Sequence, residues 1–173
     1  MNQKPILFER TFERELASGQ AKRDDLVEWW RMVQVGDIMS TPALCIDHQS
    51  TLPEALELMK KHGVRRMPVL KDRELVGIIT LGDVRGGLPS EVTSLNRSEL
   101  SFLMEQVQVA RVMRHPVITV QPQTKLADAA RLMLEYRISG LPVLSADGLV
   151  IGLVTESDIF RLLIDMLDPK GET

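Results

Sequence analysis

The sequence is poor in the features that mark secreted and membrane-bound proteins. It has one cysteine, Cys45, which cannot form an internal disulfide, and this fits a reducing compartment. We expect Cys45 to be a small buried core residue, because it lies in an apolar run. No apolar stretch approaches the roughly 18 residues of a membrane span, and the charged N-terminus lacks the apolar core of a signal peptide. We therefore expect a soluble, cytoplasmic protein.

The sequence also lacks the usual signs of catalysis, metal binding and nucleic-acid binding. The three histidines, His48, His62 and His115, are scattered and do not have metal-ligand spacing. No nucleophile elbow, P-loop or dinucleotide fingerprint occurs. A net charge of −3 argues against non-specific binding to nucleic acid, which needs a basic surface. The sequence therefore predicts no metal site and no enzymatic activity.

What the sequence does contain is an internal repeat. Residues 35–85 match residues 109–160 at an offset of 74, which becomes 75 after one inserted residue. Two copies of one unit imply a pseudo-twofold pair with a shared seam, where we expect the function to lie. The matched pairs include Met39/Met113, Leu52/Leu126, Ala55/Ala129, Met59/Met133, Pro68/Pro142, Gly77/Gly152, Thr80/Thr155 and Asp83/Asp158.

Each repeat predicts the order strand, helix, strand, strand, helix, and an α+β fold. In repeat 1 the strands are residues 43–46, 67–70 and 74–79, with a helix that starts at a Thr51/Glu54 capping box and stops at Gly63. In repeat 2 the strands are residues 117–120, 141–144 and 149–154, with an Asp147-Gly148 turn. Arg137 replaces the stop glycine, so we expect that helix to end differently.

Two segments lie outside the repeats, and they set the predicted domain boundaries. Residues 1–34 predict two short helices that either cover a sheet edge of the same chain or reach a second subunit. Residues 86–108 predict an ordered helical connector. The predicted domains are therefore an N-terminal helical extension (1–34), repeat 1 (35–85), the connector (86–108) and repeat 2 with a C-terminal helix (109–173).

The pattern Gly-x-x-Thr-x-x-Asp ends each repeat and has two compatible interpretations. Thr80 and Thr155 predict helix N-caps, with Asp83 and Asp158 in the first helical turn. The same geometry suits a ligand, because a helix N-terminus offers N–H groups to an anion and a threonine hydroxyl adds a donor. An aspartate carboxylate can accept both hydroxyls of a ribose.

A second pattern precedes the Pro-Val pairs of both repeats. A proline at the start of a strand removes a ladder donor and leaves the preceding backbone free beside apolar side chains, which suits a flat base. Gly140 leaves room for close approach in repeat 2. The equivalent Arg66 in repeat 1 would crowd that pocket or supply charge, while Arg65 and Arg66 are equally well explained as a solvated surface pair.

Together these motifs resemble a tandem pair of CBS domains (cystathionine β-synthase domains), also called a Bateman module. The resemblance rests on Val35-Gly36-Asp37-Ile38-Met39 and Val112-Met113, on Leu52-x-x-Ala55 and Leu126-x-x-Ala129, and on the Pro-Val and Gly-x-x-Thr-x-x-Asp motifs. It covers about three quarters of the chain and implies two adjacent clefts between the repeats that bind adenosyl ligands.

The resemblance also implies roles for individual residues. Asp83 and Asp158 would hold ribose hydroxyls, and Thr80 and Thr155 would meet ribose or phosphate. We favour the cleft at Asp158, because Ser139-Gly140 leaves more space than Arg65-Arg66. The base would be lined by Ile138, Ser139, Gly140, Leu141 and Pro142 in that cleft and by Val64, Arg65, Arg66, Met67 and Pro68 in the other, with backbone contacts from Thr119 and Val120; phosphate candidates are Arg114, His115 and Arg161, with Arg65 and Arg66 as further basic candidates.

These implications predict a regulatory module that senses an adenine nucleotide (AMP, ADP or ATP) and signals to a separate partner protein, since no effector domain is recognised in the sequence. No obligatory cofactor is expected. A homodimer is expected through helices including residues 156–167, with Ile159, Leu162, Leu163 and Met166 as apolar surface. The alternatives are a ligand-free interaction adaptor, a module that binds S-adenosylmethionine, a small nucleotide hydrolase and, disfavoured by the charge, a nucleic-acid-binding protein.

Overall fold

The computed structural model describes residues 30–87 and 107–167, which form two compact units. Within the described residues, unit 1 contains 30–42, 119–147 and 151–167, and unit 2 contains 43–87, 107–118 and 148–150. The elements in chain order are α1 (Val35–Ile38), β1 (Ile46–Asp47), α2 (Leu52–His62), β2 (Arg66–Lys71), β3 (Glu74–Thr80), α3 (Leu81–Gly87), a 3-10 turn (Val109–Arg111), α4 (Leu126–Tyr136), β4 (Gly140–Leu144), β5 (Val150–Thr155) and α5 (Glu156–Leu167).

Unit 2 contains a three-stranded sheet in the order β1-β2-β3. The pairing of β1 with β2 is parallel, with Ile46 opposite Val69, and the pairing of β2 with β3 is antiparallel, with Arg66 opposite Thr80. Buried side chains from this sheet, from α2, from α3 and from the 3-10 turn make one hydrophobic core. That core fixes β3, and therefore the position at which α3 begins.

Helix α2 forms as its sequence predicts. The Thr51 N–H donates to Glu54 Oε2 over 2.7 Å and the Glu54 N–H donates to Thr51 Oγ1 over 3.4 Å, which makes the predicted capping box. Gly63 ends the helix in the left-handed region at φ 65°. Leu52, Ala55 and Met59 recur on one face of the helix and are buried in the core.

Helix α4 of unit 1 repeats the buried face of α2 but differs from it at the N-terminal end. Its N-cap is Lys125, which makes no side-chain capping bond. Its C-cap, Arg137, adopts φ 53°, so the expectation of a different helix end is wrong: the backbone makes the same left-handed stop without glycine. The Arg137 N–H still donates to the helix carbonyls of Met133 and Leu134. These bonds offset the energetic cost of a left-handed backbone for an arginine.

The hairpin strands agree with the predicted ones to within about a residue. Strands β4 and β5 pair as a two-stranded sheet, and the predicted turn lies between them. The first strand of each repeat is shorter than predicted. In repeat 1 only Ile46 and Asp47 pair, and in repeat 2 the predicted strand contributes one parallel bridge, between Val120 and Val143. Both predictions were too long because an apolar run indicates burial, whereas a strand also needs a backbone neighbour with which to pair.

The compact units do not follow the linear boundaries of the repeats. We call residues 35–42 and 109–116 the leading segments of repeats 1 and 2. Arg114, in the second leading segment, bridges Ile78 on β3 within unit 2. Ser40, in the first, bridges Leu153 on β5 within unit 1. Unit 2 thus joins the strands of repeat 1 to the leading segment of repeat 2, and unit 1 joins the hairpin of repeat 2 to the leading segment of repeat 1.

A glycine in each strand makes room for these segments. A Cβ on Gly77 would lie 2.8 Å from Met113 Cγ, and a Cβ on Gly152 would lie 2.7 Å from Met39 Sδ. The equivalent methionines therefore occupy the space that a side chain would take. This explains, in physical terms, why glycine precedes both Thr-x-x-Asp motifs.

Several predicted features lie wholly or partly outside the described residues. Of the N-terminal extension only residues 30–34 are described, with 30–32 helical, and of the connector only its two ends are described. The described part of the chain contains no helix that is long and apolar enough to cross a membrane.

Candidate functional site

The Thr-x-x-Asp motif of repeat 1 forms a closed set of hydrogen bonds where β3 passes into α3. The Thr80 N–H donates to Asp83 Oδ2 over 2.9 Å, and the Thr80 hydroxyl donates to the same oxygen over 2.6 Å. The Asp83 N–H donates back to Thr80 Oγ1 over 3.2 Å. This reciprocal arrangement confirms the predicted N-cap role of Thr80 and fixes the orientation of the carboxylate.

The motif of repeat 2 reproduces the two bonds from threonine to aspartate where β5 passes into α5. The Thr155 N–H and hydroxyl donate to Asp158 Oδ2 over 2.8 and 2.7 Å. Asp158 is only 7% exposed and is the one charged or polar residue among the buried side chains of the described ranges. A buried carboxylate needs partners, and Thr155 supplies two donors to one oxygen. The second oxygen, Oδ1, is the one left for further contacts.

These bonds change the expectation for the helix N-termini. The Leu81 N–H donates to the Arg65 carbonyl over 2.8 Å, and the Glu156 N–H donates to the Ser139 carbonyl over 3.4 Å. With the bonds inside the motifs, acceptors are found for the N–H groups of Thr80, Leu81 and Asp83 in repeat 1 and of Thr155 and Glu156 in repeat 2. The threonine hydroxyl hydrogens are also directed at their own aspartates. These donors already have acceptors within the protein, so a ligand would have to share or displace them, and their contact with an anion stays a prediction.

The contacts that position the helix starts also join the two candidate motifs within each unit. Residues 65 and 139 are equivalent positions at the offset of 74, and each belongs to a segment predicted to line a base. Their carbonyls accept from the first residues of α3 and α5. The candidate base-lining segment and the candidate ribose-holding aspartate are therefore adjacent in each unit.

The free oxygen of each aspartate meets an arginine from a different source. Arg114 Nε lies 2.8 Å from Asp83 Oδ1, and this arginine comes from the leading segment of repeat 2. Arg161 Nη1 lies 3.3 Å from Asp158 Oδ1, and this arginine is one turn along the same helix. Both arginine side chains are about three quarters exposed, so each contacts its carboxylate without being buried itself.

The environment of Asp83 shifts its ionisation. Burial raises the pKa of this carboxyl, but the hydrogen bonds from the Thr80 hydroxyl, from Arg114 and from the Thr80 N–H, with the charge of Arg114, lower it by more. The net pKa lies below the ordinary value of an aspartic acid. Asp83 is therefore a carboxylate at neutral pH and can only accept hydrogen bonds.

The residues predicted to line a base differ in how far they reach solvent. In unit 1, Ile138 and Ser139 are half-buried, and Gly140, Leu141 and Pro142 are buried. In unit 2, Arg65 is exposed. The half-buried members of its segment are Val64 and Arg66, and the buried members are Met67 and Pro68. In this structure the accessible part of each segment is thus its N-terminal end.

The remaining predicted ligand contacts are Thr119, Val120 and His115. The Val120 N–H donates to the Pro142 carbonyl and the Val120 carbonyl accepts from Leu144, so its backbone already has partners, whereas Thr119 is half-buried. His115, a phosphate candidate, is exposed. In the described residues, no group of histidine, cysteine, aspartate and glutamate side chains could hold a metal ion.

Sequence reasoning missed the pairing of Arg114 with Asp83 and overestimated the burial of Cys45. Arg114 was considered only as a phosphate ligand, and its pairing with Asp83 depends on the exchange of leading segments, which the repeat pattern does not reveal. Cys45 is half-buried rather than fully buried, and burial raises the pKa of its thiol, which favours the unreactive protonated form.

The duplicated motif and its geometry agree with a comparison against known families. The family model described as "CBS domain" matches residues 35–90 and again residues 109–165. The chain belongs to the CBS domain family. The two matched ranges are the two repeats found in the sequence, and the mixed α/β architecture agrees with that of solved CBS domain pairs.

Curated relatives of this CBS domain pair include both short proteins and enzymes. A CBS domain-containing protein of Dictyostelium discoideum is 33% identical over 138 residues, which are 79% of this chain and 95% of that protein. An inosine-5'-monophosphate dehydrogenase of Korarchaeum cryptofilum is 35% identical over 117 residues, which are 68% of this chain but only 21% of the enzyme. In the enzyme, the similar region is thus a small part of a longer chain.

Solved CBS structures similar to this chain include complexes with adenosyl compounds. CBSX2 in complex with AMP is 30% identical, with a TM-score of 0.62, and the match covers 78% of this chain and 98% of that one. The CBS domain pair of protein MJ0100, in complex with 5'-methylthioadenosine and S-adenosyl-L-methionine, is 28% identical, with a TM-score of 0.63 and coverage of 76% and 96%. CBS pairs similar to this chain therefore bind AMP or the sulfur-linked adenosyl compounds.

Proposed function

We propose that this CBS pair is a regulatory module that binds an adenosyl ligand, with the Asp158 site as its principal site. The observation that carries this proposal is the buried Asp158 carboxylate, oriented by two donors from Thr155 on one oxygen. Within residues 30–87 and 107–167, its other oxygen meets the exposed Arg161, at a longer 3.3 Å. A carboxylate prepared in this way is a strong acceptor for the hydroxyls of a ribose.

The surroundings of Asp158 suit the rest of an adenosyl group. Ser139 is tied by its carbonyl to the start of α5, which brings Ile138 and Ser139 to the same end of that helix as Asp158. An apolar side chain beside backbone polar groups matches a flat base with hydrogen-bonding edges. Thr155 orients the carboxylate through its two bonds to Oδ2.

Among adenosyl ligands we favour a nucleotide, AMP, ADP or ATP. Arg161 is exposed and lies beside the carboxylate, so its guanidinium can turn to a phosphate, which it binds better than it binds an uncharged or cationic group. S-adenosylmethionine is the second candidate, and the MJ0100 complex is the observation in its favour. A ligand-free adaptor is the remaining alternative, and it predicts no adenosyl binding.

Regulation requires an output, and we propose a separate partner protein and a homodimer. Of the residues expected from the sequence to supply this surface, Leu163 is exposed, whereas Ile159, Leu162 and Met166 are half-buried. Helix α5 also exposes Phe160 and Ile164. An apolar face of this kind is typical of an interface between subunits. The similarity to part of an inosine-5'-monophosphate dehydrogenase supports an enzyme as the kind of partner. No catalytic role is proposed for the chain itself.

Isothermal titration with AMP, ATP and S-adenosylmethionine tests the proposed site. Asp158→Ala should weaken binding by about 1–3 kcal/mol, because it removes charge-assisted hydrogen bonds to the ribose. Asp128→Ala is the matched control, since Asp128 is also paired with an arginine three residues later, Arg131, but is exposed on α4. Asp158→Asn, which keeps a capping oxygen, separates loss of binding from loss of the helix cap.

The outcomes separate the candidates. Binding that is lost in Asp158→Ala and kept in Asp128→Ala supports the proposal, and the preferred titrant identifies the ligand class. No heat from any of the three compounds at millimolar concentration, together with no bound mass in a native mass spectrum of freshly purified protein, would favour the adaptor. The same spectrum gives the number of subunits, and a purely monomeric species would contradict the homodimer.

A further inference from the structure

The two Thr-x-x-Asp sites receive one equivalent residue each from the exchanged leading segments. In unit 2 the Arg114 N–H donates to the Ile78 carbonyl over 2.8 Å, and the Ile78 N–H donates to the Arg114 carbonyl over 3.0 Å. In unit 1 Ser40 makes the same pair of bonds with Leu153, over 2.9 and 3.0 Å. The same backbone bridge thus presents position 114 to the Asp83 site and position 40 to the Asp158 site.

The side chains at these equivalent positions have opposite properties. Arg114 is long and cationic, and its Nε lies 2.8 Å from Asp83 Oδ1. The other oxygen of Asp83 already accepts two bonds from Thr80, so Oδ1 is the oxygen that a ribose would use. Ser40 is short and uncharged, and the contact to Asp158 Oδ1 comes instead from Arg161 at 3.3 Å, on the same helix. Among the described residues, the free oxygen of Asp83 is therefore held by a residue from another segment of the chain, whereas that of Asp158 meets an arginine of its own helix.

We propose that Arg114 is a specificity-determining latch on the Asp83 site. It competes with the ribose of an uncharged adenosyl compound for Oδ1, and it yields to a ligand whose phosphate can receive the guanidinium. The proposal rests on the proposed function, since it assigns a ligand class to the second of two adenosyl sites. The Asp83 site thereby selects nucleoside phosphates more strictly than the Asp158 site, where the contact of Arg161 with Oδ1 is longer, at 3.3 Å.

The exposure and chemistry of Arg114 allow this exchange. Its side chain is 71% exposed, while that of Asp83 is 9% exposed, so the arginine can turn outward and leave the carboxylate in place. A guanidinium binds phosphate and carboxylate with the same two-pronged geometry, so that a phosphate replaces Asp83 as its partner with little loss. An uncharged ligand offers no such replacement and must break the ion pair outright.

A purely structural role for the Asp83–Arg114 pair makes a different prediction. If the arginine only ties its segment to α3, its removal weakens the binding of every ligand or of none. A latch instead changes the order of preference between ligands. The ratio of two affinities at the same site is therefore the readout that separates the roles.

The test measures AMP and 5'-methylthioadenosine by isothermal titration in an Asp158→Ala background, which isolates the Asp83 site. Replacing Arg114 by serine, the residue at the equivalent position, should tighten binding of 5'-methylthioadenosine by up to about fivefold, the upper end for an exposed ion pair. Binding of AMP should weaken or stay unchanged, because the phosphate loses its partner. Arg114→Lys keeps the charge but not the planar fork, so its affinities should lie between those of the unaltered Arg114 and of Arg114→Ser.

The reciprocal change is Ser40→Arg in an Asp83→Ala background, which isolates the Asp158 site. A transplanted arginine should weaken binding of 5'-methylthioadenosine by a similar factor and spare AMP. Circular dichroism and the thermal midpoint establish that each variant is folded. The two substitutions together exchange the character of the sites without touching either Thr-x-x-Asp motif.

The results separate the latch from the proposed function. If both compounds bind and Arg114→Ser changes neither affinity, or weakens both equally, the latch is refuted while the adenosyl site stands. If no compound binds any variant or the unaltered protein, the proposed function fails and the latch with it. A change in the AMP to 5'-methylthioadenosine ratio in opposite directions for the two substitutions would establish the latch.

Discussion

Helices α2 and α4 occupy equivalent places in the two repeats, with the same buried face and different N-terminal caps. Leu52, Ala55 and Met59 of α2 correspond in position and burial to Leu126, Ala129 and Met133 of α4. By contrast, Thr51 caps α2 while Lys125 makes no capping bond.

The candidate sites show the same division. The two bonds from threonine to aspartate differ by about 0.1 Å between the repeats. The arginine on Asp83 comes from a distant segment, whereas the arginine on Asp158 comes from the same helix. The comparison teaches that packing and carboxylate orientation are shared between the copies, while the residues that meet solvent and ligand are not.

The largest effect should come from the shared core. Leu52→Ala and Leu126→Ala should each lower the free energy of unfolding by about 2–5 kcal/mol, because both side chains are buried and their loss leaves a cavity. Urea denaturation measures the change, and Leu134→Ala, an exposed leucine of α4, is the control with little expected effect. A loss below about 1 kcal/mol in only one of the two would break the equivalence of the cores.

The helix ends should give a smaller effect of opposite sign in the two repeats. Gly63→Ala should destabilise the protein by about 1 kcal/mol, since a Cβ there meets no other atoms but the backbone is left-handed. Arg137→Gly should stabilise it by about 1 kcal/mol, because it relieves the same conformational cost. Thermal midpoints of the two variants check the signs, and a destabilising Arg137→Gly would show that the arginine side chain has a compensating role.

The smallest effect is the pH dependence that Asp83 contributes. Its pKa is lowered in the folded protein, so the ionised carboxylate stabilises the fold fully above the unfolded value of about 3.9, and this contribution is lost as the pH falls through the lower folded value. Urea denaturation should therefore show Asp83→Asn to be less stable than the unaltered protein at pH 7, by under about 1 kcal/mol since Arg114 is exposed. The difference should shrink below about pH 4, and a constant difference down to pH 2 would contradict the assignment.

Much of the fold could be predicted because the sequence states it twice. The Thr51/Glu54 box, the Gly63 stop and the hairpin strands follow from local rules, and the structure confirms them. The first strands were predicted too long, because their length depends on partners that are distant in sequence. The left-handed Arg137 could not be foreseen, since its cost is offset by hydrogen bonds to the helix end.

The candidate site was predictable in its centre and not at its edge. Thr80 with Asp83 and Thr155 with Asp158 are three residues apart, so helical geometry alone brings each pair together. Arg114 and Asp83 are 31 residues apart, and nothing in their local sequence indicates that they meet. Contacts of that kind depend on which segment crosses which strand, and this is where the two repeats differ in chemistry.

The exchange of leading segments has a consequence for any attempt to divide the protein. A fragment that ends after repeat 1 would keep Gly77 and β3 but lose Met113, which fills the space above that glycine. A fragment that begins with repeat 2 would lose Met39 from Gly152 in the same way. Each isolated repeat would lack the leading segment that packs on its glycine strand, so it could restore that packing only with the same segment from a second molecule.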